Sequence, residues 1–84
     1  MLKLKDLIET LKGVVAISLR DGKGEDLVIT EPIDAKDLRD RILKMSGGYG
    51  FRFFEYHILE MYAREYVIFL DEEVSCIQIV LARC

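Results

Sequence analysis

Few side chains in this sequence have the type and spacing that chemistry requires. His57 is the only histidine, and no Cys, Asp or Glu accompanies it at metal-ligand spacing, so we expect a structural or interface role rather than metal binding. Gly22 and Gly24 flank Lys23 but lack the longer glycine spacing, the Lys-Ser/Thr pair and the following helix of a phosphate-binding loop. A hairpin turn is the better interpretation.

The acidic run of Asp71, Glu72 and Glu73 is the other candidate for a cation site. Three consecutive carboxylates point in different directions and lack the spaced ligands and turn glycine of a calcium loop, so we expect a solvated turn. Cys76 fits a small core side chain, and Cys84 has no activating partner. Since no nucleophile, base and orienting group combine, we expect no catalytic residue, no cofactor and no metal, and a protein that is not an enzyme.

Composition indicates one folded domain spanning residues 1–84. The sequence is 51% hydrophobic and 32% charged, and no apolar run approaches the roughly 20 residues of a membrane span. A net charge of −3 with interleaved signs makes nucleic acid an improbable partner. Two cysteines without a disulfide framework, and a start without a signal-peptide core, favour the cytoplasm. The lack of Asn and Trp beside abundant charges is typical of thermophilic proteins.

A β-hairpin lies at the centre of the expected fold. The apolar runs Val14–Leu19 and Leu27–Ile29 flank the charged, glycine-bearing loop Asp21–Asp26. The first run is apolar on both faces except at Ser18, which predicts a central strand covered by helices on both sides.

Two helices are expected around this hairpin. The first carries Leu4, Leu7, Ile8 and Leu11 on one face and ends at Gly13. Pro32 is expected to take the chain out of the sheet, and Asp34 then caps a second helix over Ala35–Lys44. Its acid-first i, i+4 pairs are Asp37 with Arg41 and Asp40 with Lys44, on a face that is either solvated or a partner surface. Residues 46–50 are expected to form a flexible link.

The remainder of the chain predicts three strands. They cover Phe54–Tyr62, Tyr66–Leu70 and Val74–Ala82, with the acidic turn between the last two. The first mixes polar and large apolar groups on each face, as in an edge strand or a subunit contact, whereas the last looks central.

The segments LKGVVAISLRDGKG and REYVIFLDEEVSCIQIVLA, in this order of elements, resemble the roadblock domain of dynein light chains and bacterial polarity regulators. The resemblance implies a single α/β domain with α/β/α-type layers. Its sheet would be five-stranded and antiparallel with order 2-1-5-4-3, with one helix before the first hairpin and one between strands 2 and 3. It further implies dimerisation through the middle helix and the third strand, and a role as adaptor or regulator of a small Ras-like GTPase.

We therefore expect a homodimeric protein-interaction module. The apolar residues of the middle helix and third strand exceed what one small core buries, which marks an interface. The predicted interface residues are Leu38, Ile42, Met45, Phe54, Tyr56, Ile58 and Tyr62, and the candidate partner-binding residues are Arg39 and Arg41. Two alternatives remain: a small-ligand sensor with Tyr49, Phe51 or Tyr56 at the mouth of a pocket between sheet and helix, and a structural subunit of a larger assembly.

Overall fold

A mixed four-stranded sheet with its helices on one face forms the core of the described structure. The computed structural model describes residues 2–69 and 72–82, so Leu70, Asp71 and Cys84 of the predictions above lie outside the described residues. The elements are α1 Leu4–Leu7, β1 Val14–Arg20, β2 Asp26–Asp34, α2 Ala35–Leu43, a 3-10 helix Met45–Glu55, β3 His57–Phe69 and β4 Glu72–Ala82.

The strand order is β2-β1-β4-β3. β1 pairs with β2 and β3 pairs with β4 in antiparallel fashion, whereas β1 and β4 are parallel. The α/β class is confirmed, and the last strand lies beside the first as predicted. The five-stranded sheet, its wholly antiparallel character and the order 2-1-5-4-3 are wrong in detail.

The described sheet has four strands rather than the predicted five because two of the predicted strands form one continuous strand. The predicted strands Phe54–Tyr62 and Tyr66–Leu70 are replaced by one strand of 13 residues, β3, which runs unbroken through Arg64 and Glu65. An edge strand tolerates these charges because one of its sides meets solvent. The Arg64 guanidinium lies 4.2 Å from the ring centroid of Tyr66, so the charge is accommodated on the strand itself.

The β1–β2 hairpin confirms the predicted turn. Asp21 Oδ1 accepts hydrogen bonds from the backbone N–H groups of Lys23 and Glu25, at 2.8 and 2.9 Å. Gly24 has φ +84°, a left-handed conformation that glycine adopts without steric cost. The loop sequence alone therefore accounts for this connection.

β2 continues past Pro32 to Asp34, contrary to the prediction that the proline takes the chain out of the sheet. β2 is an edge strand, and its pairing with β1 is irregular between Val15 and Ile17, where a residue without an N–H is tolerated. Thr30 Oγ1 accepts the N–H of Ile17 at 3.1 Å within this irregular stretch. The Thr30 side chain thus bonds β2 to β1 at the bulge.

α2 begins as predicted and ends one residue earlier. The Asp34 side chain accepts from the N–H of Lys36, and the helix runs to Leu43. Arg41, which was predicted to pair with Asp37, bonds to Glu31, and Arg39 bonds to Glu9. The charged face of α2 is therefore tied to neighbouring elements.

Helical structure differs from the prediction on both sides of the hairpin. α1 has only four residues, although Ile8 and Leu11 still pack against the core. The expected flexible link and the start of the next strand together form the 3-10 helix. Its Phe53 packs edge to face on Tyr56, with ring centroids 5.4 Å apart, and both rings pack against the core.

All described helices pack on one face of the sheet, which corrects the α/β/α layering to two layers. The core cluster joins Leu4, Ala35, Leu38 and Ile42 to Val15, Ile17, Ile79 and Leu81. Ala16, Ser18, Gln78 and Val80 alternate with these strand residues and point to the opposite face, here called the bare face. They are nevertheless buried, because strand side chains such as Tyr66 reach across them.

Candidate interaction surface

The outer edge of β3 is the candidate functional surface. β3 is the last strand of the sheet, and β4 is its neighbour on the inner side. At its beginning the outer edge is occupied by the chain's own first residues, since Leu4 N–H donates to Tyr56 O and Ile58 N–H donates to Leu2 O. From Leu59 onward, no strand among residues 2–69 and 72–82 pairs with this edge. The unpaired backbone groups there are able to accept another strand.

Apolar side chains are exposed along the same edge. Leu59, Met61, Tyr62 and Val67 each expose between 42% and 66% of their surface. The pairing register places Met61, Ala63 and Val67 on the helix side of the sheet and Tyr62 on the bare face. Both faces of the edge therefore carry apolar area, which distinguishes it from a simple solvated strand.

Two opposite charges lie two residues on either side of Tyr62. Glu60 and Arg64 share the bare face with Tyr62, and the Glu60 carboxylate accepts from Arg20 Nη2 at 3.1 Å. Arg20 also bonds to Asp26 at 2.8 Å, which holds the pKa of the Asp26 carboxyl below its usual range. Arg20 thus links the two edge strands across the bare face through its bonds to Asp26 and Glu60.

A buried polar network lies beneath these charges. Gln78 donates to Ala16 O and Ser18 Oγ, and its Oε1 accepts from the Tyr66 hydroxyl at 2.8 Å. The cleft above it has a volume of about 100 Å³, which is too small for an organic ligand. This network therefore supports the sheet rather than forming a ligand pocket.

The predicted interface residues are divided between core and surface. Leu38 and Ile42 are fully buried in the chain's own core, and Phe54, Tyr56 and Ile58 pack against that core. Met45 is half-buried, and Tyr62 is the member of the set that is clearly exposed. One chain thus accommodates most of the apolar residues that seemed to require a partner, and the interface itself stays a prediction.

α2 and β3 lie at different parts of the sheet. α2 packs on β1, β2 and the 3-10 helix, while β3 lies at the other side of the sheet. The expectation that the dimer uses both the middle helix and the third strand stays a prediction. The Ile58 N–H already bonds to Leu2 O within the chain, so it is not available to a partner strand.

The candidate partner-binding arginines lie on the exposed side of α2. Arg39 Nη1 bonds to Glu9 at 2.8 Å and Arg41 Nη2 bonds to Glu31 at 2.7 Å, and all four side chains are largely exposed. Ion pairs of this kind contribute little stability to the fold.

The remaining chemistry candidates lie apart from one another. His57 is half-buried at the start of β3, and Cys76 is buried as predicted, which raises the pKa of its thiol. Glu72 and Glu73 lie in β4 rather than in a turn. Within the described ranges, no three His, Cys, Asp or Glu side chains are grouped to hold a metal ion, and no helix is long and apolar enough to cross a membrane.

The sensor alternative required a pocket with aromatic residues at its mouth. A cleft of about 380 Å³ lies between the residues after α1 and the start of α2, lined by Leu11, Gly13, Ala35 and Arg39 among others. Its lining includes neither Phe51 nor Tyr56, and the Tyr49 side chain lies outside the described structure. Phe51 and Tyr56 therefore do not lie at the mouth of this cleft, as the sensor alternative expected.

Sequence reasoning missed Leu59, Met61 and Val67 as surface residues. Their signal was present in the sequence through residues 59–67, but the prediction divided this stretch between two strands.

No family model, curated protein or solved structure matches this chain.

Proposed function

We propose that the protein is a protein-interaction module that forms a homodimer through the outer edge of β3. The observation that carries this proposal is the unpaired edge beyond Ile58, lined by the exposed side chains of Leu59, Met61 and Tyr62. Exposed edges of this length promote association with other chains unless they are covered.

A second copy is the simplest partner for such an edge. A two-fold axis perpendicular to the sheet brings β3 against the same strand in antiparallel orientation and covers both edges at once. Since a domain of this size buries only about 60% of its chain surface, the added burial also stabilises the fold.

The dimer in turn presents the exposed arginines of α2 to a further protein. The resemblance to roadblock domains supports a small Ras-like GTPase as that protein, with the dimer as its adaptor or regulator. Arg39 and Arg41 lie on α2 over the opposite half of the sheet from β3, so partner binding and dimerisation would use separate surfaces.

Two single lysine variants, one on each edge strand of the sheet, test the dimer. Met61→Lys places a charge on the proposed seam, whereas Val28→Lys places it on β2, where Val28 is 72% exposed. Sedimentation equilibrium at tens of micromolar protein should give a dimer for the wild type and Val28→Lys, and a weakened dimer for Met61→Lys. A monomeric wild type contradicts the proposal. If only Val28→Lys loses the dimer, the interface lies on β2 rather than on β3.

The GTPase role is tested with purified Ras-like GTPases of the source cell, loaded with GDP or a GTP analogue. Binding to the dimer should depend on the nucleotide, and the double variant Arg39→Ala/Arg41→Ala should lose it while staying dimeric. Lys44→Ala, on the same helix, is the matched control and should bind as the wild type does. Equal binding by the double variant removes the arginines from the partner surface.

A further inference from the structure

Sheet geometry restricts how two β3 strands can meet. In an antiparallel pair, residues directly opposite one another point to the same face of the sheet. Side chains alternate between faces along a strand, so a two-fold axis perpendicular to the sheet must place one residue directly opposite its own copy. That residue is called the residue on the axis. The register is therefore specified by naming the residue on the axis.

The usable part of β3 is also limited. Pairing with β4 is irregular between Ile58 and Glu60 and again between Val67 and Phe69, which leaves Glu60–Val67 as the regular stretch. Before it, the residues around Leu2 occupy the outer edge. The axis must fall within this stretch.

Charge excludes several positions for the axis. An axis at Glu60, Arg64 or Glu65 places that residue opposite itself in the partner, and like charges directly opposite are destabilising. An axis at Met61 places Glu60 opposite a tyrosine, and an axis at Ala63 places Arg64 opposite a tyrosine. In both registers the charged side chain lacks an oppositely charged residue directly opposite it. An axis at Tyr62 places Glu60 opposite Arg64 of the partner subunit, twice in each dimer.

We infer that the dimer, if the proposed function holds, has its two-fold axis at Tyr62, with Glu60 and Arg64 of one copy paired with Arg64 and Glu60 of the other. Both side chains lie on the bare face on either side of Tyr62, as this register requires. The helix-side neighbours then place Met61 opposite Ala63, so a long apolar side chain meets a small one.

The far end of β3 is compatible with a seam of this length. Tyr66 reaches back over the bare face to Gln78, and Tyr66 and Val67 line a cleft with Glu31 and Pro32 of β2. The end of β3 thus approaches β2 over the bare face. The proposed pairing stops at Arg64, because further pairing would bring Tyr66 opposite Ile58 of the partner subunit, where the outer edge is already occupied. Pairing spans Glu60 to Arg64.

Charge reversal tests this register directly. In Glu60→Arg homodimers and in Arg64→Glu homodimers, both cross-seam pairs become like-charged, so each dissociation constant should rise on the order of tenfold. The double variant Glu60→Arg/Arg64→Glu restores both pairs and should dimerise as the wild type does. An equimolar mixture of the two single variants should form mostly heterodimer, which native mass spectrometry resolves by mass.

Two controls separate the possible failures. Thermal unfolding of each variant monitors the loss of the Arg20–Glu60 bond, which affects the single chain and not the seam. A wild-type dimer weakened by Met61→Lys, together with statistical mixing of the charge variants, overturns the register and leaves the proposed function standing. A wild type that stays monomeric overturns both.

Discussion

The Tyr66 hydroxyl donates a 2.8 Å hydrogen bond to Oε1 of Gln78, which joins the edge strand β3 to a side chain buried on the bare face. The Gln78 side-chain amide in turn donates hydrogen bonds to Ala16 O and Ser18 Oγ of β1. Among the described residues no buried side-chain nitrogen or oxygen lacks a partner, so this network fully satisfies the polar groups of a face without helices.

Removing this network should destabilise the fold without changing its architecture. Gln78→Met keeps the side-chain volume but leaves buried groups without partners, and should cost about 2 kcal/mol. Tyr66→Phe removes one bond and should cost about 1 kcal/mol. Urea unfolding at matched protein concentration measures both, with Tyr62→Phe as the control on the same strand. A neutral Gln78→Met would show that the network contributes nothing to stability.

A second prediction concerns the side chain that holds the bulge of β2. Thr30→Val keeps the shape but removes the acceptor of the buried Ile17 N–H, and should cost about 1–3 kcal/mol. Thr30→Ser keeps the acceptor and loses one methyl group, which should cost about 0.8 kcal/mol. The free energy of unfolding should therefore be lower for the valine variant. The reverse order would contradict a role for the hydroxyl.

Features set by short-range chemistry were predictable from the sequence. The Asp21–Asp26 turn and the Asp34 cap each depend on residues within four positions, and both form as expected. The central position of the last strand followed from its near-continuous apolar run, whereas its place beside the first strand was implied by the resemblance to roadblock domains.

Features set by tertiary contacts were not predictable in this way. Leu38 and Ile42 have the periodicity of any buried helix stripe, and only the structure shows that one chain's core buries them fully. The continuity of β3 through Arg64 depends on its edge position, and the continuity of β2 through Pro32 depends on a bulge. Neither position in the sheet is encoded within a local window of sequence.

Gly50 provides a test of one such tertiary contact. It is buried in the 3-10 helix, and a Cβ added there would overlap the carbonyl oxygen of Ile42 in α2. Gly50→Ala should therefore cost about 1–3 kcal/mol through overpacking. Gly22→Ala, where a Cβ meets open space, should stay within about 0.5 kcal/mol of the wild type. Equal unfolding free energies for the two variants would contradict the close packing of the 3-10 helix on α2.

The last prediction concerns the pH dependence of stability at the β3–β4 hairpin. A hydrogen bond shared with Glu65, together with the repulsion between the two carboxylates, raises the pKa of Glu73. The folded chain therefore binds the Glu73 proton more tightly than the unfolded chain does, and this group destabilises the fold at neutral pH. The destabilisation should fade as pH falls from the raised value through the unfolded value. Glu73→Gln mimics the protonated acid, so its melting temperature should exceed that of the wild type near neutral pH and match it at about pH 3.5. Glu72→Gln removes a carboxylate at the adjacent position of β4 and is the control for the loss of one charge. A Glu73→Gln variant that melts below the wild type at neutral pH would contradict the shared-proton arrangement.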